Sequence, residues 1–386
     1  MKISIITGTR ADYGLLYWTI KALSEDSFFT VQICVTGMHL SPEFGLTYKL
    51  IENDGFEITS KIETLLSSDS TIGISKSIGL GIISFSEEFE RLKPDLILVV
   101  GDRFEILSAA TAAMISKIPI AHCHGGEATE GLIDEPIRHS ITKMSHIHFT
   151  STDEYSKRVI QLGESPNSVF NVGGLGIENI KKLNLLSKID FEKAINFKLS
   201  KINFLITFHP VTLENQTAES QFLELLKSIK SIKNSKIIFT KPNADSHGRP
   251  IIKLIDEFVT KNPKQSISFI SMGQLNYLSC IQFVDVVIGN SSSGLLEVPS
   301  FNKPTINIGD RQRGRIKSKT VIQCDPNQIS ISKAIEFALS KKFKDILKNS
   351  SNPYDNGNSS EKIVKILKKI SLENIIKKNF FNLKIK

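Results

Sequence analysis

Short apolar runs of strand length recur along this chain with stretches of helical period between them, and that alternation confines it to a parallel-sheet α/β architecture. The runs are KISIITGT, VQICVTG, LILVVGD, IPIAHCHGG, HIHFTST and VFNVGGL, with helical patterning over 12–24 and 103–116. Parallel neighbours need a crossover between them, and a helix is the usual one, so the rhythm is that of βαβ units. After a polar, lysine-rich interval at 187–202 the rhythm restarts with NFLITFH, KIIFTKP, ISFISM, DVVIGN and PTINIGD. The pattern predicts two Rossmann-like, doubly wound domains, residues 1–180 and 200–355, and GGLGIEN at 173–179 reads as a hinge or turn. Ligands of such sheets bind beyond the carboxyl ends of the strands, which makes a cleft between the two domains the expected site.

A length of 386 residues suits two such domains. With 40% hydrophobic and 23% charged residues the chain has ample apolar surface to bury, and no segment is long and apolar enough to predict a membrane span. The opening MKISIITGTRADYG reads as a first strand and not as a signal peptide, so a cytoplasmic location is expected. Cys34, Cys123, Cys280 and Cys324 lack paired spacing, which argues for buried reduced thiols over disulfides or a cysteine zinc site. The net charge of +8 is largely a property of residues 361–386, where eight Lys stand against two Glu. A nearly balanced body argues against nucleic-acid binding and for an anionic small substrate held by local arginines.

The distinctive polar clusters sit where apolar strands end: GTRADYG, GDRFE, HCHGGE, FHPVT, KPNAD (with Asn243), GNSSSG and GDRQRGR. GTRADYG lacks the G-x-G-x-x-G spacing of a dinucleotide loop, leaving Arg10 for a substrate phosphate and Asp12 for a helix cap. In GNSSSGLLEVPS, Asn290 is the expected cap of a helix whose first turn, with Ser291 and Ser292, seats an anion. Glu297, two turns along, is then placed to accept from a vicinal diol such as ribose. Arg103, Arg311 and Arg313 complete a cationic wall suited to phosphate oxygens, unless Asp102 and Arg103 simply pair with each other.

HCHGGEATEGLIDEPIRHS at 122–140 leaves two chemistries open, a metal held through His122 and His124 or metal-free acid–base work. A helix is predicted to begin near Asp134–Pro136, so that Glu135, Arg138 and His139 share a face, with Asp134 either a cap or a catalytic group. Glu127 lies on the loop before it, and His209 closes the first strand of the second domain. The later strand ends offer serines, asparagine and arginines, which are phosphate and hydroxyl binders, so acid–base chemistry on a nucleotide sugar explains more of the clusters than a metal does.

GTRADYG, VTGMH, GDRFE, HGGE with DEPIRHSITKMSHIH, FHPVT, GNSSSGLLEVPS and INIGDRQRGR, in this order and over roughly residues 1–370, closely resemble the hydrolysing UDP-N-acetylglucosamine 2-epimerases of nonulosonic-acid pathways. The resemblance implies a GT-B arrangement, a final helix at 356–372 crossing back, a basic tail at 373–386 outside the matched motifs, and no metal or redox cofactor. It implies that Arg10, Arg103, Ser291, Ser292, Glu297 and Arg311 hold the UDP part while Asp102, Asp134, Glu135 and His209 surround the sugar. It also implies a homo-oligomer, dimer or tetramer. Many relatives carry Glu where this chain has His124, which leaves proton transfer open between His124 and Glu127. The implied reaction converts UDP-N-acetylglucosamine to free N-acetylmannosamine and UDP by elimination and hydration. A UDP- or GDP-linked 2,4-diacetamido sugar on the way to legionaminic acid is the alternative, and a GT-B glycosyltransferase or a non-catalytic sensor would share the nucleotide seat.

Overall fold

Seven parallel strands form the first sheet: β1 (Lys2–Thr7), β2 (Thr30–Thr36), β3 (Ile58–Ile62), β4 (Leu96–Val100), β5 (Ile120–Cys123), β6 (Ile147–Thr150) and β7 (Val169–Asn171), in the order β3-β2-β1-β4-β5-β6-β7. Six parallel strands form the second: β8 (Ile202–Thr207), β9 (Ser235–Thr240), β10 (Ser266–Phe269), β11 (Val286–Gly289), β12 (Thr305–Ile308) and β13 (Val321–Cys324), ordered β10-β9-β8-β11-β12-β13. The computed structural model describes residues 1–66, 70–130, 132–211, 218–230, 232–242 and 248–384. It divides into one unit of 1–127, 134–179 and 354–386 and another of 128–133 and 180–353.

Helices on both sheet faces explain why the strands read as unbroken apolar runs. In the first unit Ile3, Ile5, Leu96 and Leu98 pack against Leu16, Ile20, Ile363 and Leu367. The alternate residues Ile6, Ile97 and Val99 pack against Phe85, Phe89 and Ile106. In the second unit Phe204 and Ile206 face Phe222, Leu225 and Ile255, while Leu205 and Val287 face Leu278 and Ile281. The strand pattern missed only β3 and β13. Both are edge strands, mostly half-exposed, with Lys61 and Gln323 turned to solvent.

Two sequence expectations are corrected. The interval 187–202 contains the helix Lys188–Ala194, whose Phe191 is fully buried in the second unit, so it contributes core and is not merely polar. GGLGIEN opens the helix Leu175–Lys182 and is no simple turn. Gly173 (φ +90°) adopts a left-handed conformation, and a Cβ there would come within 3.2 Å of the Asn356 backbone. Buried Glu178 accepts from the Ser360 N–H at 2.8 Å and the Ser360 hydroxyl at 2.5 Å, seating the start of the C-terminal helix Ser359–Lys369 on the first unit. Among the described residues no helix is long and apolar enough to cross a membrane.

Candidate active site

In each sheet the order of successive strands reverses at one place, between β1 and β4 in the first and between β8 and β11 in the second. A crevice opens at such a switch point because the flanking loops depart to opposite faces. The sequence-predicted residues fall at both. Arg10 follows β1 and Asp102 follows β4; His209 follows β8 and Asn290 follows β11.

Thr9 caps the helix Arg10–Ser24, and Asp12 returns the bond by accepting from the Thr9 N–H at 3.1 Å, so Asp12 is the carboxylate of a capping box and not the cap itself. Burial pushes its carboxyl up to about 6. The cap directs Arg10 to the strand end, where it is partly buried and pairs with no carboxylate among the described residues. Burial lowers its pKa, so an anion beside it would be favoured. Arg103 pairs with Glu105 and not with Asp102: Nε and Nη2 each stand 3.2 Å from a Glu105 oxygen. Glu105 is buried and needs that charge, which the sequence reading did not weigh.

Asp102 pairs instead with Arg138, a fully buried side chain. The helix containing Arg138 begins at Asp134, whose carboxylate is placed favourably at the positive end of the helix. One turn along, Arg138 Nη1 donates to Glu135 Oε2 at 3.1 Å and to the Glu127 carbonyl at 2.9 Å, and His139 Nε2 lies 3.1 Å from Glu135 Oε1. The expected face of Glu135, Arg138 and His139 is therefore present, and Asp102 joins it. Arg138 holds two carboxylates together, its charge offsetting their repulsion.

The glycine-pair loop brings together the two residues between which proton transfer was left open. His124, at φ +65°, donates from Nδ1 to Glu127 Oε1 at 2.8 Å and accepts at Nε2 from the Leu175 N–H at 3.2 Å. Both ring nitrogens are thus engaged, and Glu127, 1% exposed, also accepts from Ser151. Glu127 has the structural duties that the sequence did not disclose. His122 donates from Nε2 to the Gly101 carbonyl at 2.7 Å and takes the Thr142 hydroxyl at Nδ1, so it offers no ready ligand atom; burial lowers its pKa to about 3.

In the second unit Asn290 is not a helix cap. Its side chain clamps the His209 backbone, Oδ1 accepting from the N–H at 2.7 Å and Nδ2 donating to the carbonyl at 2.8 Å. The Asn290 carbonyl in turn receives Arg311 Nη1 at 3.1 Å and Gln312 Nε2 at 2.9 Å. One residue thereby ties together the ends of β8, β11 and β12. Ser291 and Ser292 precede a single turn, Ser293–Leu296, followed by a 3-10 segment with Pro299, so the expected long helix and its full dipole are absent. Proline cannot donate in a helix interior, which stops it there. Glu297 accepts from the Ser293 hydroxyl, which itself receives Tyr277 at 2.9 Å; burial raises the Glu297 pKa. Arg313 is exposed and paired with Glu130 at 2.9 Å, and Asn243 lies outside the described residues. Sequence reasoning missed Gln312, Ser293 and Tyr277; Gln312 and Ser293 stood inside quoted motifs, whereas Tyr277 carried no signal.

Arginines, serines and a half-buried carboxylate at one switch point, with paired carboxylates and a buried arginine at the other, place the chain among two-unit parallel-sheet proteins whose switch points carry the kinds of side chain that suit anionic, hydroxyl-rich ligands. The sequence profile of UDP-N-acetylglucosamine 2-epimerases matches residues 21–368. The chain is 46% identical over 383 residues, 99% of both chains, to the GDP/UDP-N,N'-diacetylbacillosamine 2-epimerase (hydrolyzing) of Campylobacter jejuni. It is 41% identical to the polysialic acid biosynthesis protein P7 of Escherichia coli, over 99% of this chain and 97% of that one. The crystal structure of the Neisseria meningitidis UDP-GlcNAc 2-epimerase bound to UDP-GlcNAc has a TM-score of 0.81 at 20% identity, covering 96% of this chain and 100% of that one. The chain belongs to the hydrolysing UDP-N-acetylglucosamine 2-epimerase family.

Proposed function

We propose that the protein releases UDP from a UDP-linked 2-acetamido sugar with inversion at C2, giving the free sugar. The observation that carries this reading is that each unit's switch point holds charged and polar candidate groups: Arg10 and the Asp102–Arg138–Glu135 assembly in the first, His209, Asn290 and Arg311 in the second.

The C2 proton of such a sugar is weakly acidic, so its removal is coupled to departure of UDP from C1. The C–H electron pair becomes the C1–C2 double bond as the C1–O bond breaks, and the diphosphate carries its electrons away. Water then adds its hydroxyl at C1 while C2 is reprotonated on the opposite face. On the second unit Arg311, with Ser291 and Ser292, is assigned to the diphosphate and the stabilisation of its charge, and on the first Arg10 is assigned to a substrate phosphate. Glu297 accepts from the ribose hydroxyls. Asp102, Asp134, Glu135 and His209 handle protons around the sugar, with Arg138 and His139 orienting Glu135. His124 and Glu127 support the loop, since their polar atoms are committed to each other, to Ser151 and to the Leu175 N–H. Arg103 acts through Glu105.

For the sugar, the motif resemblance points to UDP-N-acetylglucosamine, whereas the 46% identity to a protein named for N,N'-diacetylbacillosamine favours the 2,4-diacetamido sugar. Pure protein is incubated with each nucleotide sugar, linked to UDP and to GDP, without any acceptor. Release of free nucleotide together with the 2-epimeric free sugar is expected, fastest from the UDP-linked 2,4-diacetamido substrate. An intact nucleotide sugar in every incubation would contradict the reading, and release only on adding an acceptor would make the protein a glycosyltransferase.

A further inference from the structure

The basic segment after the C-terminal helix is docked on the first unit. The Phe381 N–H donates to the Gly163 carbonyl at 2.8 Å, and Gly163 (φ +90°) leaves room for the Phe380 ring where a Cβ would lie 2.3 Å from it. The Lys378 side chain, 28% exposed, reaches inward. Its ammonium donates to the carbonyls of Lys143 and Ser145, 2.6 Å each, and stands 2.9 and 2.8 Å from the two oxygens of Glu164.

Those two carbonyls lie at the C-terminal end of the helix Asp134–Met144, where the last carbonyls lack intrahelical partners and a cation is favoured. Glu164 is 2% exposed and also receives Lys143 Nζ at 2.5 Å and His148 Nε2 at 3.1 Å. Burial alone would raise its pKa; the bonds from His148, Lys143 and Lys378 outweigh that and hold it at about 2. One carboxylate thus joins the end of the helix, strand β6 and the C-terminal segment.

The same helix carries Glu135, Arg138 and His139. One residue before the clasp, the Thr142 hydroxyl lies 3.0 Å from the Arg138 carbonyl and 3.2 Å from His122 Nδ1. His122 bonds the carbonyl of Gly101, the neighbour of Asp102, and Asp102 pairs with Arg138. The path closes on itself. A slip of this 11-residue helix along its axis would move Arg138 and, through Thr142 and His122, disturb the backbone that carries Asp102.

We propose that Lys378 is a positioning residue for the reaction: its ammonium, clasped with Glu164, fixes the helix that aligns Arg138 and Glu135 with Asp102. The proposal rests on the hydrolysing epimerase reading above. Gly163 on the first unit's body and Phe380, Phe381 and Lys378 of the C-terminal segment then act together: the Phe380 ring beside Gly163 and the Phe381 N–H on its carbonyl hold the segment so that the lysine meets the helix end.

The test uses the full chain with Lys378→Met, Lys378→Arg, Glu164→Gln and the double variant Lys378→Met/Glu164→Gln. Lys378→Met should lose at least tenfold in kcat while KM and the UDP-binding stoichiometry stay within twofold. Amide exchange over 138–146, measured without substrate, should quicken about tenfold. Lys378→Arg should recover at least half of kcat, and the double variant should be no slower than Lys378→Met. A kcat for Lys378→Met within twofold of the parent, or a loss matched by an equal loss of UDP-binding sites, would overturn the proposal. If the parent released no UDP from any sugar, the functional reading would fail separately, and unchanged exchange in Lys378→Met would still overturn the clasp.

Discussion

Asn290 is the residue on which the second unit's site depends most. Its amide satisfies both backbone groups of His209, and a buried group left unsatisfied costs about 1–3 kcal/mol. Asn290→Asp keeps the acceptor, loses the donor and sets a carboxylate against the His209 carbonyl. Turnover should fall at least tenfold while UDP affinity, which draws on the Asn290 backbone carbonyl through Arg311, changes little; equal losses of both by calorimetry and kinetics would count against this division. Glu297 should behave in the opposite way. Glu297→Ala removes a charged acceptor from the proposed ribose contact, so UDP should bind weaker by about 1.5–3 kcal/mol, and unchanged calorimetric affinity would remove Glu297 from the site. His124 and His122 had raised the option of a metal, but their ring nitrogens are engaged within the first unit. Treatment with EDTA should leave turnover intact; inactivation reversed by one divalent metal would restore the metal reading.

At the scale of elements, close backbone approach and helix capping hold the strand ends in place. Gly289, at φ +140°, runs so close to β8 that a Cβ would stand 1.8 Å from the Thr207 carbonyl oxygen. Gly289→Ala must displace backbone, and a loss above about 4 kcal/mol is the kind such strain produces; the variant should express poorly or unfold at much lower urea. Thr9→Ala, which removes one side of a capping box, should cost only about 1 kcal/mol and leave the fold intact. Elements were legible in the sequence wherever burial on both faces made a strand apolar throughout. Two of the four edge strands, β3 and β13, were illegible because they mix Lys, Ser, Thr and Gln with their apolar residues, while the edge strands β7 and β10 were still read. Strand ends announced the candidate residues, yet not their partners. Asp102 could be placed beside Arg103 by adjacency alone, whereas its pairing with Arg138 depends on how the helix Asp134–Met144 packs beside β4 and β5. Asn290 looked like a cap for the same reason, since its contact with His209 spans 81 positions of sequence.

At the scale of the whole molecule, buried neutral histidines contribute a loss of stability in acid, partly offset by Asp12, whose raised carboxyl works in the opposite direction. Burial lowers His122 to about 3 and His39 to about 4, against an unfolded value near 6.5. The unfolded chain therefore binds more protons between these values, and the stability these residues hold above pH 6.5 is lost as pH falls toward 4. The urea midpoint of His122→Asn should fall less from pH 6.5 to 4 than that of the parent; an equal fall in both would show that His122 is not responsible. The two parallel sheets were legible from the strand rhythm, because a parallel sheet imprints its period on sequence; the switch points were not, because strand order leaves no period behind. The docking of the segment around Lys378 was not, because a run rich in lysine reads as solvated until the buried Glu164 is seen beneath it. The central claim is an elimination at C1 and C2 followed by hydration, and isotopes test it most directly. Turnover in deuterium oxide should place one deuterium at C2 of the free sugar, and turnover in 18O water should label its C1 oxygen and leave UDP unlabelled. A product that retained the substrate's own hydrogen at C2, or 18O found only in UDP, would contradict the account.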